Sequence, residues 1–308
     1  MGRYRILSLD GGGIRGVMSL VMLERLEQEV PGWIGQADLI AGTSTGGIIA
    51  LGLAHGLLLP ELRAFYELKG RDIFDDSWVH NLLDLGAVIG AQYDNRKLTR
   101  ELRRVFGGVR LKDLKQRVLI PAFDLDNQDP QPARRCGAPK FFHNFPGGDS
   151  DGHLPVWKVA LYTSAAPTYF PAVDGYIDGG VVANNPSMAA LAQTQDQRAV
   201  PAPPSPAEIV MLSVGTGLSL MRIEGKCLDW GAAQWAKPLL NIMLDGVAGV
   251  ADYQCRQILG SRYCRLAPAF PPDQAIPLDA VDRIPDLVRL GAAIDVTKAA
   301  AWLRRVWR

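Results

Sequence analysis

The chain has 308 residues, of which 48% are hydrophobic, enough to bury a sizeable core and to exclude a disordered protein. Its 33 basic and 32 acidic residues leave a formal charge of +1, so the overall balance does not call for a nucleic-acid polymer as partner. The sequence contains no run of about 18 uninterrupted apolar residues, which excludes a membrane-spanning helix.

The N-terminus, MGRYRILSLD, enters a strand-like run without a secretory signal, and Ile6 stands where a myristoylation signal needs Ser or Thr. We therefore expect a cytoplasmic protein, peripheral to the membrane at most. The cysteines lack CxxC spacing, which indicates reduced structural thiols and predicts neither a metal site nor disulfides. They are Cys136, Cys227, Cys255 and Cys264.

Strand-like and helix-like segments alternate along the chain, which predicts a layered α/β domain. Strands are predicted over 5–9, 38–41, 118–123 and 208–214, and helices over 17–30, 45–59 and after Pro155. Segments rich in turn-forming residues predict loops over 124–135, 145–152 and 200–206. Because no linker or repeat is evident, we expect one domain over 1–308, with 218–308 a mainly helical C-terminal elaboration.

A serine surrounded by small residues follows the predicted strand 38–41. Gly42-Thr43-Ser44-Thr45-Gly46 fits the GxSxG nucleophile elbow, in which a sharp strand-to-helix turn exposes the serine hydroxyl. The amide of Thr45 would point toward the same space, and the helix N-terminus would favour negative charge there. Small-residue turns before helices are also common, so this motif alone leaves a structural turn open.

A glycine-rich loop connects the first predicted strand to the first predicted helix. Consecutive glycines in Asp10-Gly11-Gly12-Gly13-Ile14-Arg15-Gly16 allow close backbone approach to a phosphate or an oxyanion. The same residues satisfy GxGxxG, typical of dinucleotide binding, but Glu27 and Glu29 fall in a helix instead of ending a second strand. A purely structural glycine turn is the remaining alternative.

The candidate base is a carboxylate that ends a short apolar run. In Tyr176-Ile177-Asp178-Gly179-Gly180, an aspartate before two glycines is usually a turn residue that caps nearby amides. A conventional hydrolase triad would instead need a histidine, and all four, His55, His80, His143 and His153, lie upstream of Asp178. Of these, His143 and His153 are the alternatives that stay open.

Together these stretches resemble the patatin-like phospholipase family, whose marks DGGGxRG, GTSxGG and DGG occur here in the family's order. The resemblance extends to TSAAPTYFPAV (163–173), ANNP (183–186) and SVGTG (213–217). It implies a patatin-like three-layer α/β/α sandwich and a Ser–Asp dyad with Ser44 as nucleophile and Asp178 as base. It also implies an oxyanion hole, for which the candidates are Gly11, Gly12, Gly13, Ile14, Arg15, Gly16 and Thr45.

The resemblance implies a lipid acyl hydrolase without a cofactor, acting on phospholipids, lysophospholipids or other lipid esters. Some bacterial relatives that it resembles are antiphage effectors switched on by a cyclic nucleotide, which makes a cyclic nucleotide a candidate activator. A non-catalytic lipid-binding module on the same fold is the alternative of a different class, and the oligomeric state is not predicted.

Two apolar segments, 78–91 and 232–250, are candidates for a lid or an interfacial element. In each case a core helix is the favoured interpretation. We expect transient contact with a membrane surface through substrate access.

Overall fold

The computed structural model describes residues 2–74, 91–198, 200, 202–218, 223, 229–271 and 274–308. Within them, seven strands form one mixed sheet in the order β4-β3-β2-β1-β6-β7, with β5 also paired to β3. The strands are β1 Tyr4–Leu9, β2 Leu39–Gly42, β3 Arg117–Asp124, β4 Ala138–His143, β5 Tyr176–Asp178, β6 Ile209–Val214 and β7 Tyr263–Leu266.

The centre of the sheet is parallel and its β3 side is antiparallel. β1 runs parallel to β2 and β6, β2 parallel to β3, and β6 parallel to β7, whereas β4 and β5 run antiparallel to β3. All residues of β2 and β6 are buried. Their continuous apolar sequences therefore fit parallel strands that are covered on both faces.

Helices cover both faces of the sheet. They are α1 Gly16–Glu29, α2 Thr45–His55, α3 Leu59–Phe74, α4 Asn95–Phe106, α5 Val156–Thr163, α6 Gly180–Ala183, α7 Ser187–Gln193, α8 Ala232–Leu259, α9 Ile284–Ala293 and α10 Thr297–Trp302.

The described residues form two separate hydrophobic cores, one on each face of the sheet. Along β1, Leu7 and Leu9 pack into the core formed with α1 to α5, whereas Ile6 packs into the core formed with α7 and the C-terminal half of α8. Alternate residues of one strand thus point into opposite cores. The architecture is the three-layer α/β/α sandwich that the resemblance implied.

The predicted strands and helices of the first 220 residues are confirmed to within a few residues. The helix predicted to run to residue 59 ends at His55, because Gly56 adopts the left-handed conformation with φ 101° and terminates α2. The strands β4, β5 and β7 and the helices α3, α4, α6 and α7 were not predicted. β7 is only four residues long and includes Arg265 and Cys264, so its sequence lacks an apolar strand pattern.

The register of the central strands brings three loops to the same edge of the sheet. Leu9, at the end of β1, lies opposite both Gly42 at the end of β2 and Val214 at the end of β6. The glycine-rich loop, the Ser44 turn and the SVGTG segment therefore leave the sheet side by side, as loops at the carboxyl ends of parallel strands do.

The C-terminal segment is integrated with this sheet. β7 extends it beside β6, with Val214 opposite Leu266. Of the described helices, none combines the length and apolar character required to cross a bilayer. The division into one domain stays a prediction.

Candidate active site

Ser44 lies at the sharp turn between β2 and α2. Its backbone adopts φ 54° and ψ −122°, a region that a residue with a side chain rarely occupies. The Ser44 amide donates to Oγ1 of Thr163 at 2.9 Å, and the Thr163 hydroxyl donates to the Pro121 carbonyl at 2.6 Å. Thr163 on α5 therefore holds the strained turn in place.

Glycines permit this turn because backbone groups approach it closely. A Cβ on Gly42 would collide with the carbonyl oxygen of Gly46, and a Cβ on Gly46 would collide with the carbonyl oxygen of Leu9. The flanking glycines of the motif are thus required sterically, in agreement with the nucleophile-elbow interpretation.

The glycine-rich loop lies beside Ser44, and most of its amides are already bonded. Those of Gly11 and Ile14 donate to the carbonyls of Asn184 and Leu278 at 2.9 and 2.8 Å. Those of Arg15 and Gly16 donate to carbonyls of the loop itself. Among the described residues, the amides of Gly12 and Gly13 have no protein acceptor, and the same is true of Thr45 at the first position of α2.

Gly13 shows why the loop needs glycine. Its φ is +56°, and a Cβ there would collide with the carbonyl oxygen of Leu278. That same carbonyl accepts the Ile14 amide. The C-terminal segment therefore shapes the glycine loop directly.

Asp178 ends β5 and faces the Ser44 turn. Its amide donates to the Ala165 carbonyl at 2.9 Å, and its Oδ1 accepts the Gly180 amide at 2.7 Å. Burial raises the pKa of Asp178 to about 6, against the opposing effect of hydrogen bonds from the Ser44 hydroxyl and the Gly180 amide. The structure therefore brings together the serine and the carboxylate that the sequence singled out. A Cβ on Gly179 would collide with the Pro121 carbonyl, so the glycine is needed there as well.

Arg15 is buried and braces the loop. Its guanidinium donates to the carbonyls of Gly12 and Gly217, each at 3.4 Å, and lies 5.8 Å from the centre of the Phe270 ring. Burial lowers the pKa of Arg15 to about 10, although Asp245 opposes this shift, so the side chain remains a cation at neutral pH. Of the two roles predicted for Arg15, these contacts fit orientation of the loop.

A buried ion pair beneath the loop was missed by sequence reasoning. Nη1 of Arg265 on β7 donates to Oδ1 of Asp10 and to the Ser213 hydroxyl, each at 2.7 Å, and Nη2 bonds the second carboxylate oxygen of Asp10. Both side chains are 5% exposed. No local pattern around Arg265 signals this partner, which lies 255 positions away.

Tyr66 of α3 is a second contact that the sequence did not indicate. Its hydroxyl accepts from Oγ1 of Thr45 at 2.6 Å and donates to the Thr45 carbonyl at 3.1 Å. A Cβ on Gly16 would collide with Oγ1 of Thr45, so the start of α2 packs directly on the glycine loop.

Ser44 and Asp178 line one cleft with the glycine loop. Its described walls are mostly apolar and aromatic, and Arg15 and Asp178 are the charged residues among them. The apolar walls come from five helices and two loops and include Ile48, Phe65, Tyr66, Ile73, Leu98, Tyr169, Phe170, Val181, Leu244 and Leu278.

The described histidines lie away from this cleft. His55 is at the end of α2 with its ring 6.1 Å from that of Phe106, and His153 is exposed. His143 is buried at the end of β4, where burial lowers its pKa. Its Nε2 lies 3.9 Å from Asp149, and Nδ1 has no partner within the described chain. His80 lies outside the described residues, as does nearly all of the candidate lid 78–91.

The second apolar segment, 232–250, forms most of the N-terminal part of α8. The favoured interpretation as a core helix is wrong for much of it, because Leu239, Ile242, Met243 and Val250 are 42–57% exposed. Leu244 of the same helix lines the cleft that contains Ser44 and Asp178. The three described cysteines are free thiols. No group of three potential metal ligands occurs in the ranges that the structure describes.

Comparisons with known proteins agree on one family. A family model described as Patatin-like phospholipase matches residues 7–191. The chain is 33% identical to a cGAMP-activated phospholipase of Pseudomonas aeruginosa over 91% of this chain and 83% of the relative. It is 36% identical to a cGAMP-activated phospholipase of Escherichia coli over 74% of this chain and 69% of the relative.

A solved structure is also similar, that of VipD from Legionella pneumophila. The match has 10% identity and a TM-score of 0.38, and covers 94% of this chain and 67% of VipD.

Proposed function

This chain belongs to the patatin-like phospholipase family, a family of lipid acyl hydrolases, and from that premise we propose that Ser44 and Asp178 form its catalytic dyad. The substrates proposed are fatty-acyl esters of phospholipids or lysophospholipids. The observation that carries the proposal is the position of Asp178, a buried carboxylate beside the Ser44 hydroxyl, with a pKa raised to about 6.

A raised pKa makes Asp178 a better base than an exposed aspartate, while leaving most of it ionised at neutral pH. In the proposed first step, Oγ of Ser44 attacks the acyl carbonyl and its proton passes to Asp178. The carboxylic acid then donates that proton to the departing lysolipid alcohol. In the second step a water molecule attacks the acyl-enzyme and gives a proton to Asp178. Asp178 then returns this proton to Oγ of Ser44 as the fatty acid leaves.

We propose that the oxyanion hole uses fewer residues than the seven candidates expected from the sequence. Amides that already donate to protein carbonyls are poor candidates, which removes Gly11, Ile14, Arg15 and Gly16 as donors. The amides of Gly12, Gly13 and Thr45 are the remaining candidates, and the N-terminus of α2 would add a favourable dipole. Arg15 is proposed to orient this loop through the Gly12 and Gly217 carbonyls.

The cleft supports an acyl substrate. Its apolar walls suit a hydrocarbon chain, and its few charged groups adjoin the position where the ester would react. A non-catalytic lipid-binding module would not need a buried, elevated-pKa carboxylate at a strained serine, so the dyad favours an enzyme. Transient contact with a membrane surface follows from the substrate, and a cytoplasmic location stays a prediction.

A second candidate function is regulation by a cyclic nucleotide. Relatives from Pseudomonas aeruginosa and Escherichia coli are named cGAMP-activated phospholipases and align with most of this chain. We propose that cGAMP raises the lipase activity of this protein as well. This activation adds to the dyad chemistry and does not replace it.

The test is a hydrolysis panel of phospholipids, lysophospholipids and p-nitrophenyl esters, each measured with and without cGAMP. Ser44→Ala should lower turnover by at least about 1,000-fold in every case, because the covalent nucleophile is lost. The matched control is Ser164→Ala, a serine of the same cleft whose hydroxyl donates to the Ala160 carbonyl at 2.8 Å, and it should stay within a few-fold of wild type. Turnover by Ser44→Ala above about a tenth of wild type would refute the dyad. An equal rate with and without cGAMP would refute only the activation.

A further inference from the structure

The helix α8 carries an exposed apolar stripe. Six of the nine large apolar side chains that are exposed in the described part of the chain belong to this helix. Five of them fall within an arc of about 100° around the helix axis and span about 21 Å along it. These five define the α8 stripe: Leu239, Ile242, Met243, Val250 and Tyr253, which are 42–66% exposed.

The opposite side of α8 adjoins the catalytic site. Leu244 lines the cleft, and its carbonyl accepts from Nδ2 of Asn184 at 3.5 Å. Nδ2 of Asn185 donates to the Ala248 carbonyl at 3.3 Å. Because Asn184 and Asn185 follow the short helix α6, which begins two residues after Asp178, a single helix connects the α8 stripe to the segment that carries the proposed base.

The distribution of charge on α8 favours a hydrocarbon surface. Asp245, Asp252 and Arg256 are placed by helical spacing on a flank, outside the α8 stripe. With its charged residues on the flank, α8 can lie in the plane of a membrane interface through an uncharged apolar face, without burying a charge in the hydrocarbon. α8 does not qualify as a membrane-spanning helix.

We propose that the α8 stripe is the surface through which this protein docks on a phospholipid bilayer. The inference rests on the proposed lipid-hydrolase function, since the other face of α8 lines the cleft that would receive the substrate. Docking would place the cleft beside its lipid source. The alternative occupant of an apolar helix face is a second copy of the chain, which the experiment distinguishes.

The primary measurement is flotation with phosphatidylcholine vesicles, with the Ser44→Ala protein as parent so that the vesicles stay intact. The stripe variant combines Met243→Gln, Val250→Gln and Tyr253→Gln. It should lower vesicle partitioning at least about 10-fold, because three large apolar side chains leave the membrane interface. The control variant, Leu58→Gln with Leu68→Gln and Leu125→Gln, removes three apolar side chains that are 47–72% exposed elsewhere and should partition like the parent.

The same substitutions with Ser44 intact separate docking from chemistry. Turnover of soluble p-nitrophenyl butyrate should stay within about two-fold of wild type, because the three side chains lie outside the cleft, whereas hydrolysis of vesicle phospholipid should fall about 10-fold. Unchanged soluble turnover also reports an intact fold. The single substitution Tyr253→Gln removes one side chain of the stripe, which is 66% exposed. It should lower vesicle partitioning by about three-fold.

Equal vesicle partitioning of the stripe variant and the parent would overturn the proposal, as would no partitioning of the parent with or without cGAMP. Analytical ultracentrifugation of both proteins tests the second-copy alternative. Loss of a dimer in the stripe variant with vesicle partitioning kept would assign the stripe to self-association. Flotation measures binding and the hydrolysis panel measures turnover, so failure of the docking proposal is distinguished from failure of the proposed lipase function.

Discussion

The molecule contains two Asp-Gly-Gly segments at strand ends, and the structure places them in different electrostatic environments. Asp10 and Asp178 are each 5% exposed, and each is followed by glycines in tight contact with neighbouring backbone or side chains. Both carboxylate oxygens of Asp10 accept hydrogen bonds from the buried Arg265. Asp178 instead accepts hydrogen bonds from the Ser44 hydroxyl and the Gly180 amide. The same short motif thus places a structural carboxylate, paired with a cation, at Asp10 and a candidate base at Asp178.

The comparison shows that burial alone does not make a base. A buried carboxylate with a permanent cation in contact has its negative charge compensated and its lone pairs occupied. Burial raises the pKa of both carboxyl groups, but at Asp10 the charge and hydrogen bonds of Arg265 oppose that shift, whereas Asp178 has no such cation among the described residues and can accept a proton near neutral pH. The partner of each aspartate therefore decides its chemistry.

The largest expected effect comes from Asp178→Asn, which keeps the size of the side chain but removes its basicity. We expect kcat to fall about 10⁴-fold while KM changes little, because Asn cannot accept the Ser44 proton. Steady-state kinetics on a soluble ester would measure it. A decrease of only a few-fold, together with a lower melting temperature, would instead make Asp178 a turn-capping residue like the Asx turns of surface loops.

The second test breaks the ion pair. Arg265→Met leaves Asp10 buried without its cation and should lower the free energy of unfolding by about 3–5 kcal/mol, measured by urea titration. Adding Asp10→Asn should restore most of that stability, since neither position of the former ion pair then carries a buried charge.

A positioning role for Arg265 predicts a kinetic signature as well. The folded Asp10→Asn/Arg265→Met protein should show a lower kcat at nearly unchanged KM, because the glycine loop that starts at Asp10 loses its anchor. An unchanged kcat in the stable double variant would limit the ion pair to a purely structural role.

The third test uses pH. With a pKa near 6 for Asp178, kcat/KM should decrease about tenfold per pH unit below that value as the base becomes protonated. This acid limb should be missing from the residual rate of Asp178→Asn. An identical acid limb in both proteins would move the base to another group.

Stability should change with pH in the opposite sense to activity. The folded-state pKa of Asp178 lies above its ordinary value of 3.8, so the folded protein binds the proton more tightly than the unfolded chain. Relative to Asp178→Asn, wild type should therefore lose about 3 kcal/mol of stability as pH rises from about 4 to above 6. A gain over this range would contradict a raised pKa.

The smallest effect is expected from the histidines. His55→Gln, His80→Gln, His143→Gln and His153→Gln, made singly, should each leave kcat/KM within about three-fold of wild type, since the proposed dyad uses no imidazole. His143→Gln is the most demanding case, because its ring is buried and its substitution also tests packing. A loss near 1,000-fold in a folded variant would indicate a conventional triad.

The sequence alone determined the chemistry-bearing segments and most of the layers. The elbow around Ser44, the glycine loop and the Asp178 turn are local patterns, as are the buried strands that precede them, because strand and turn preferences act over a few residues. These patterns, together with the resemblance to the family, selected the serine and the aspartate as candidates before any contact between them was known. Apolar periodicity also placed α1, the length of an apolar run placed α2, and Pro155 in the first turn placed α5.

Only the tertiary structure decided which groups meet. Asp10 pairs with Arg265, and the Ser44 amide bonds Thr163. The Gly11 and Ile14 amides donate to carbonyls elsewhere in the chain and are therefore not free for an oxyanion. All of these contacts join residues far apart in the sequence. The exposed face of α8 was likewise invisible in a sequence that is apolar along much of its length. Hydrophobicity predicts that a segment can be buried, but packing against other elements determines which of its faces is covered.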